Sequence, residues 1–186
     1  QNIINFFESI GVTILNGYGI TECAPIIAVN HSKWVVPGSV GFPLNICDVR
    51  IDEPNEDGEG EICVKGPNVM LGYYKNDEAT RETIDANGFL HSGDLGIKDE
   101  DGYYRITGRI KDMIIRGGEN IYPKEIEEFI YTHPKVSDVQ VIGVPDEQYG
   151  EEIMACIILK DGEECTEKEM KDFILASLAK HKVPRY

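Results

Sequence analysis

The chain has 186 residues, enough for one ordinary domain or two small ones. Its formal net charge is -15, which argues against a nucleic-acid partner because neutralising phosphates requires clustered Lys and Arg. No apolar run approaches the roughly 18 residues of a transmembrane helix, although contact with a membrane surface is left open. Composition does not bear on the oligomeric state.

Cysteine and histidine usage gives no sign of a metal site or a disulfide framework. The cysteines are odd in number and scattered, without a CxxC pair, at Cys23, Cys47, Cys63, Cys156 and Cys165. We expect buried free thiols in a reducing compartment, the cytoplasm. The four histidines lack metal-ligand spacing. They are interpreted as surface or packing residues.

The N-terminal region predicts the end of an amphipathic helix over residues 2–10, followed by a short buried strand over 12–15. Residues 1–11 have no basic region of the kind that opens a signal peptide. The chain does not begin with Met. We therefore expect it to be a piece of a longer protein.

Residues 16–22 read NGYGITE and combine a flexible backbone with polar side chains. Two glycines flank Tyr18, which indicates that the backbone there passes close to another group. Tyr18, Thr21 and Glu22 offer an aromatic ring, a hydroxyl and a carboxylate within five positions. Taken alone, this pattern fits a Gly-rich turn with an exposed Tyr as well as it fits a binding loop.

Residues 36–74 consist of short alternating runs separated by turns. Ile62 and Val64 alternate with polar neighbours as in a half-buried strand, and Gly66-Pro67 ends that strand. The whole segment is assigned a scaffold role. A short helix with exposed charges is predicted over residues 77–84.

Residues 92–109 predict a hairpin with Asp101-Gly102 as its two-residue turn. This register sets Asp94 opposite Arg109, and a one-residue bulge would still leave the two close together. One interpretation is a surface ion pair that contributes little to stability. The other is a clamp on a diol, in which the carboxylate accepts hydrogen bonds and the guanidinium donates them.

The stretch 108–127 joins this region to a second kind of sequence. It contains a basic pair (Arg109, Lys111), a strand over 113–115, a Gly117-Gly118 pair and a helix that starts at Pro123. Strands are predicted over 136–144 and 152–159 with a loop over 145–150, then a helix over 166–179. Thr166 and Glu169 have the spacing of a capping box. The fold class expected from this mixture is α+β.

These motifs, in this order, resemble those of the adenylate-forming enzymes, the superfamily of acyl-CoA synthetases, adenylation domains and luciferases. Cys23-Ala24-Pro25 extends the likeness towards long-chain fatty acyl-CoA synthetases, and HSGDLG over 91–96 stands where the family usually has TGDLG. The resemblance implies a C-terminal fragment. Residues 1–109 would end the large ATP-binding domain with a β-barrel-like subdomain, and 110–186 would form a small α+β domain, with a hinge near Lys111.

The resemblance also implies a role for each motif residue. Tyr18 would stack on adenine, Thr21 would hydrogen-bond the α-phosphate, and Glu22 would hold Mg²⁺. Asp94 and Arg109 would bind the ribose hydroxyls. The remaining assignments are Gly17, Gly19 and Ile106 in the ATP/AMP site, Lys111 as the catalytic hinge, and Gly117 and Gly118 on the path of coenzyme A.

The implied activity is an AMP-forming acid–thiol ligase that uses ATP, Mg²⁺, coenzyme A and a small carboxylic acid, most simply a fatty acid. The phosphate loop and the C-terminal lysine of the family are not among these residues, so we expect residues 1–186 alone to be inactive. An aryl-CoA ligase or a peptide-synthetase adenylation domain is the alternative within the superfamily. A non-catalytic nucleotide- or partner-binding module is the alternative from another class.

Overall fold

The computed structural model describes residues 2–186, apart from the side chains of Asn2, Ile3 and Asn5. The chain divides into two compact units, the first ending at Thr107 and the second beginning at Gly108. Helices and antiparallel strands are mixed along the chain, which confirms the α+β class.

The first unit is built on two small sheets. The three-stranded sheet has the order β1-β2-β3, and the four-stranded sheet has the order β4-β5-β6-β7. The strands are β1 Gly17–Gly19, β2 Ile26–Val29, β3 Phe42–Pro43, β4 Asp48–Asp52, β5 Gly60–Lys65, β6 Leu90–Lys98 and β7 Tyr104–Arg109, whose last two residues fall in the second unit. The helices are α1 Asn2–Ser9 and α2 Asp77–Thr83, with a 3-10 turn at Thr21–Cys23.

The core of this unit brings the Gly-rich loop and the second sheet together. Its fully buried members are Cys23, Ile27, Ile62, Val64 and Leu90. The strand predicted around Ile62 and Val64 is β5, which runs between β4 and β6. Its alternation is less clean than expected, since Cys63 on the opposite face is also completely buried.

Two local predictions in this unit are wrong. Residues 12–15 do not form a strand, and Val12 and Leu15 are both more than 40% exposed, because none of the described strands pairs with that segment. The turn of the β6–β7 hairpin is also longer than the two residues expected. Asp99 N–H donates to the Tyr103 carbonyl, and Gly102 N–H donates to the Asp99 carbonyl, both at 3.0 Å. This closes a three-residue loop with Gly102 in the left-handed region.

The second unit is one four-stranded sheet with two helices. The sheet has the order β10-β11-β8-β9, and its described pairings are antiparallel. The elements are β8 Ile114–Arg116, β9 Glu119–Ile121, α3 Pro123–Ile130, β10 Val136–Asp146, β11 Gly150–Leu159 and α4 Glu167–Leu175, after a 3-10 turn at Ile110–Asp112.

Helix α3 follows its sequence signals closely. Pro123 occupies its first turn, as proline favours. Ile126 and Ile130, one turn apart, are fully buried in the core of the second unit, where each contributes about 1.5–3 kcal/mol. The same core contains Met170 and Ile174 of α4. The buried faces predicted for α3 and α4 are therefore confirmed.

Two boundaries in the second unit differ from the prediction. The loop expected over 145–150 is only 147–149, because the β10–β11 ladder continues through Pro145 and Asp146. Helix α4 ends at Leu175 and not at 179. Leu178 still packs against the core from the turn that follows the helix.

In the described part of the chain, no helix combines the length and the apolar character needed to cross a membrane.

Candidate functional site

The backbone of the neighbouring chain segment requires a glycine at position 19 of the NGYGITE loop and leaves little room at Gly17. A Cβ atom on Gly19 would lie 1.8 Å from the carbonyl oxygen of Pro25, and one on Gly17 would lie 3.2 Å from that of Ala28. The β1–β2 register shifts between Tyr18 and Gly19, where this close approach occurs. The close approach predicted from the sequence is therefore to the neighbouring strand.

Tyr18 and Asp94 are brought together although they are far apart in sequence. The Tyr18 hydroxyl donates a hydrogen bond to Asp94 Oδ2 at 2.8 Å. Asp94 is 5% exposed, and its N–H donates to Ser92 Oγ at 3.1 Å. Burial raises the pKa of Tyr18 well above its ordinary value, with a further contribution from the Asp94 charge, so the phenol remains a donor at neutral pH.

The other members of the expected ribose site lie on β7. Ile106 is half-buried against the core of the first unit, and Arg109 is the exposed last residue of the strand. The pairing of Asp94 with Arg109 stays a prediction.

Thr21 and Glu22 lie in the 3-10 turn that follows the loop. Thr21 is exposed and Glu22 is half-buried. The Glu22 carbonyl accepts a hydrogen bond from Met70 N–H at 2.7 Å, and its carboxylate Oε1 accepts one from the Tyr73 hydroxyl at 2.9 Å. The turn therefore offers a hydroxyl and a fixed carboxylate next to Tyr18.

Sequence reasoning did not find the contacts made by the segment 66–76, although its scaffold region, 36–74, includes most of that segment. Tyr73 reaches Glu22 across 51 positions, and Asn68 Nδ2 donates to the Cys23 carbonyl across 45 positions, at 3.0 Å. No local pattern signals such contacts, because they depend on how a loop folds back onto the 3-10 turn.

The remaining predicted residues belong to the second unit. Lys111 is exposed in the 3-10 turn Ile110–Asp112. Gly117 and Gly118 are the two residues of the β8–β9 turn, with φ values of +61° and +88°. Such a turn needs positive φ at both positions. A Cβ on Gly118 would meet nothing within 4 Å, whereas one on Gly117 would lie 3.2 Å from the Tyr149 ring.

A buried carboxylate lies behind this turn. Glu152 is completely buried, and its Oε1 accepts hydrogen bonds from Arg116 Nε at 2.6 Å and Ile153 N–H at 3.0 Å. Its Oε2 has no hydrogen-bond partner and lies 3.8 Å from Arg185 Nη1. Burial raises the pKa of the Glu152 carboxyl, whereas the hydrogen bonds from Arg116 and Ile153 lower it. The lowering effects together outweigh burial, so the net pKa lies below the ordinary value.

The register of β4, β5 and β6 also gathers a compact polar group. Ligand-type atoms of Asp52, Cys63 and His91 all lie within 4.8 Å of one another. Arg50 Nη2 lies 3.2 Å from Asp52, and His91 Nδ1 lies 2.7 Å from Glu61. Burial and the charges of Glu61 and Asp52 raise the pKa of Cys63 to about 12, which keeps its thiol protonated. Because the Arg50 guanidinium already binds Asp52, we interpret these residues as a polar network of the sheet and not as a set of metal ligands.

The Gly-Tyr-Gly strand contacts the HSGD strand through Tyr18 and Asp94, and a separate small unit follows, as expected for the adenylate-forming class. The family of AMP-binding enzymes matches residues 1–74, and the AMP-binding enzyme C-terminal domain matches residues 125–186. The chain belongs to this family.

Individual relatives agree with the family assignment. The chain is 51% identical over 178 residues to the putative acyl-CoA synthetase YngI of Bacillus subtilis (strain 168). The alignment covers 91% of this chain and 32% of the relative. It is 52% identical over 178 residues to the medium-chain acyl-CoA ligase ACSF2, mitochondrial, of Homo sapiens. That alignment covers 91% of this chain and 29% of the relative. The chain therefore spans about a third of the length of these relatives.

A solved structure gives the same result for the fold. The o-succinylbenzoate CoA synthetase MenE from Bacillus subtilis, in complex with the acyl-adenylate intermediate OSB-AMP, matches with a TM-score of 0.86 and 34% identity. The match covers 99% of this chain and 39% of that chain.

Proposed function

We propose that the protein containing this chain is an ATP-dependent acid–thiol ligase. In the first step a carboxylate oxygen attacks the α-phosphorus of ATP, the bond to the β-phosphate oxygen breaks, and acyl-adenylate and pyrophosphate form. In the second step the thiol of coenzyme A attacks the acyl carbonyl, loses its proton, and expels AMP. Membership of the family and the ligase names of the relatives support this proposal.

The single observation that carries the nucleotide site is the 2.8 Å hydrogen bond from Tyr18 to Asp94. It joins an aromatic ring suited to stacking on adenine to a buried carboxylate suited to accepting from ribose hydroxyls. Arg109 would donate to the same hydroxyls. Gly17, Gly19 and Ile106 would shape the surrounding wall.

Thr21 and Glu22 are suited to the reacting phosphate. The Thr21 hydroxyl is exposed and can donate to an α-phosphate oxygen, which gains charge in the transition state. The half-buried Glu22 carboxylate fits Mg²⁺, a hard cation that prefers oxygen ligands. When bound there, Mg²⁺ would neutralise charge on the phosphoryl oxygens.

The second unit would serve the thiol step. Lys111 is exposed in a short turn next to the boundary between the units, where a change of backbone angles disturbs little packing. Gly117 and Gly118 would line the pantetheine arm, and the open space at Gly118 leaves the backbone free to approach a thin ligand.

For the acid, we propose a fatty acid, as in the medium-chain ligase named among the relatives. An aryl acid is the second candidate, because MenE carries an o-succinylbenzoyl adenylate. The five cysteines are free, but the expectation that they are buried holds only for Cys23 and Cys63, and Cys156 is exposed. Free thiols suit a reducing compartment such as the cytoplasm.

The test is pyrophosphate exchange by the full-length protein, assayed across straight-chain fatty acids and aryl acids, each with and without Mg²⁺. We expect exchange that depends on one class of acid and on Mg²⁺, followed by thioester formation when coenzyme A is added. Nucleotide binding without exchange for any acid would favour a non-catalytic module, and exchange without transfer to coenzyme A would favour a peptide-synthetase adenylation domain.

A further inference from the structure

The segment 66–76, here called the bracing loop, lies against the 3-10 turn that carries Glu22. Three of its residues hydrogen-bond that turn. Met70 N–H donates to the Glu22 carbonyl at 2.7 Å, and Asn68 Nδ2 donates to the Cys23 carbonyl at 3.0 Å. The third contact reaches a side chain: the Tyr73 hydroxyl donates to Glu22 Oε1 at 2.9 Å. Both the backbone and the carboxylate of Glu22 are therefore held from one loop.

Tyr73 is itself fixed from the opposite direction. Its N–H donates to Thr80 Oγ1 at 2.9 Å, and the Thr80 hydroxyl donates to the Asn76 carbonyl at 2.9 Å. The Asn76 side chain in turn accepts from Ala79 N–H and caps the start of α2. The backbone of Tyr73 is thus tied to the start of α2.

The backbone before Tyr73 requires a glycine to make this approach. Gly72 has a φ of +144°, and a Cβ there would lie 2.8 Å from Thr80 Cγ2. With a side chain at this position, the loop would have to move away from Thr80. Tyr73 would then lose the N–H contact that fixes it.

A hydrogen bond to one carboxylate oxygen has a geometric consequence. It fixes the rotation of the Glu22 carboxylate and hence the direction of its second oxygen. A phenol suits this role, because its hydroxyl can donate to a carboxylate oxygen.

We propose that Tyr73 is a positioning residue that orients the Glu22 carboxylate for the divalent cation of the nucleotide. This inference rests on the role proposed above for Glu22. It assigns Tyr73 an indirect function in metal–nucleotide binding. Tyr73 itself would touch neither the cation nor ATP.

The test uses the full-length protein and measures how the rate of pyrophosphate exchange depends on free Mg²⁺ at saturating ATP and acid. Tyr73→Phe removes only the hydroxyl. Tyr74→Phe is the matched control, since it makes the same change one position further on, in a ring that is 88% exposed and lies against Lys75. Glu22→Gln reports separately on the proposed ligand.

We expect Tyr73→Phe to raise the Mg²⁺ concentration for half-maximal rate about threefold to tenfold, the effect of one charge-assisted hydrogen bond on a partly exposed group. High Mg²⁺ should restore its rate, and the KM for coenzyme A should stay unchanged. Tyr74→Phe should behave as wild type. A merely structural role would lower the rate at every Mg²⁺ concentration instead.

The outcomes separate the two ideas. If Glu22→Gln raises the Mg²⁺ requirement and Tyr73→Phe leaves it unchanged or lowers it, the positioning role is overturned and the role of Glu22 stands. If neither variant changes the Mg²⁺ requirement, the role proposed for Glu22 fails first, and the inference fails with it.

Discussion

At the scale of single residues, two buried carboxylates in different units have different partners. Asp94 accepts from a neutral phenol, Tyr18, in the candidate nucleotide site. Glu152 accepts from a guanidinium, that of Arg116, and lies within 3.8 Å of a second one, that of Arg185. Asp94 lies in the candidate nucleotide site, whereas Glu152 is buried in the second unit with its charge neutralised by the Arg116 guanidinium. We therefore expect substitutions to affect catalysis at the first carboxylate and stability at the second.

Asp94→Ala in the full-length protein should lower kcat/KM for ATP about tenfold to a hundredfold, because it removes a buried charged acceptor proposed to hold the ribose. Steady-state kinetics with ATP as the varied substrate measures this. Asp101→Ala, in the exposed β6–β7 turn, is the control and should leave kcat/KM unchanged. An unaltered value for Asp94→Ala would reduce Asp94 to a structural acceptor for Tyr18.

Glu152→Gln should destabilise the second unit by about 1–3 kcal/mol, since the amide places N–H donors among the Arg116 and Arg185 guanidinium groups. Hydrogen–deuterium exchange of β10 and β11 in urea, on the full-length protein, measures the local free energy of unfolding. Glu163→Gln, on an exposed loop, should change it little. Equal protection from exchange in Glu152→Gln and Glu163→Gln would mean that the ion pair between Arg116 and Glu152 contributes nothing to stability.

The same carboxylate predicts the direction of the acid dependence. The folded-state pKa of Glu152 is below its ordinary value. At a pH between these two pKa values, the unfolded chain therefore binds more protons than the folded chain. The stability it contributes is present above about pH 4.5 and is lost as the pH falls through the folded-state pKa. The wild type should therefore lose stability more steeply than Glu152→Gln on acidification.

At the scale of elements, α4 shows how a helix start is encoded locally. Thr166 Oγ1 accepts from Glu169 N–H at 3.2 Å, and Thr166 N–H donates to Glu169 Oε2 at 3.0 Å. Because both bonds lie within four residues, the capping box could be read from the sequence. The end of α4 lacks a comparable signal, and its prediction was too long.

Thr166→Ala should lower the local stability of α4 by about 1 kcal/mol, because the first turn loses an acceptor for its free N–H groups. Hydrogen exchange of the α4 peptide measures the loss. Thr166→Ser keeps the hydroxyl and should retain most of the protection. A similar loss in both variants would point to the Thr166 methyl group in place of the cap.

Elements that depend on distant partners were predicted less well. Residues 12–15 have the composition of a strand, but a strand also needs a neighbour to pair with. The Asp101-Gly102 pair fits a two-residue turn and a three-residue loop equally, and the chain takes the latter. In the same way, the residue types of the proposed nucleotide site were recognisable in the sequence, whereas the contact of Tyr73 with Glu22 depends on the fold.

At the scale of the whole molecule, the chain consists of two units with separate cores, joined just before a short turn. Arg109 is extended, and Lys111 is the middle residue of the 3-10 turn that follows. A proline at 111 would fix φ near −65°, remove an N–H and disfavour the helical conformation at Ile110. It would therefore restrict the conformations of this junction while leaving both cores intact.

Lys111→Pro in the full-length protein should spare one half-reaction and slow the other by about tenfold or more, equivalent to at least about 1.4 kcal/mol in the barrier. Pyrophosphate exchange and transfer from preformed acyl-adenylate to coenzyme A measure the two halves separately. Lys111→Ala, which keeps the backbone freedom, is the control for loss of the side chain. An equal loss in both halves would indicate misfolding, and wild-type rates in both would exclude a hinge at Lys111.

The close approach of Gly19 to Pro25 determines how substitutions at position 19 affect the protein. Even alanine at position 19 would bring its Cβ to within 1.8 Å of a carbonyl oxygen, so β1 and β2 would have to separate. In a saturation mutagenesis screen scored by activity, Gly19 would be as intolerant as a ligand-binding residue, although the contact that forbids substitution is internal. Intolerance in this loop therefore marks ligand contacts only at positions where a larger side chain has room, and Gly19 is not one of them.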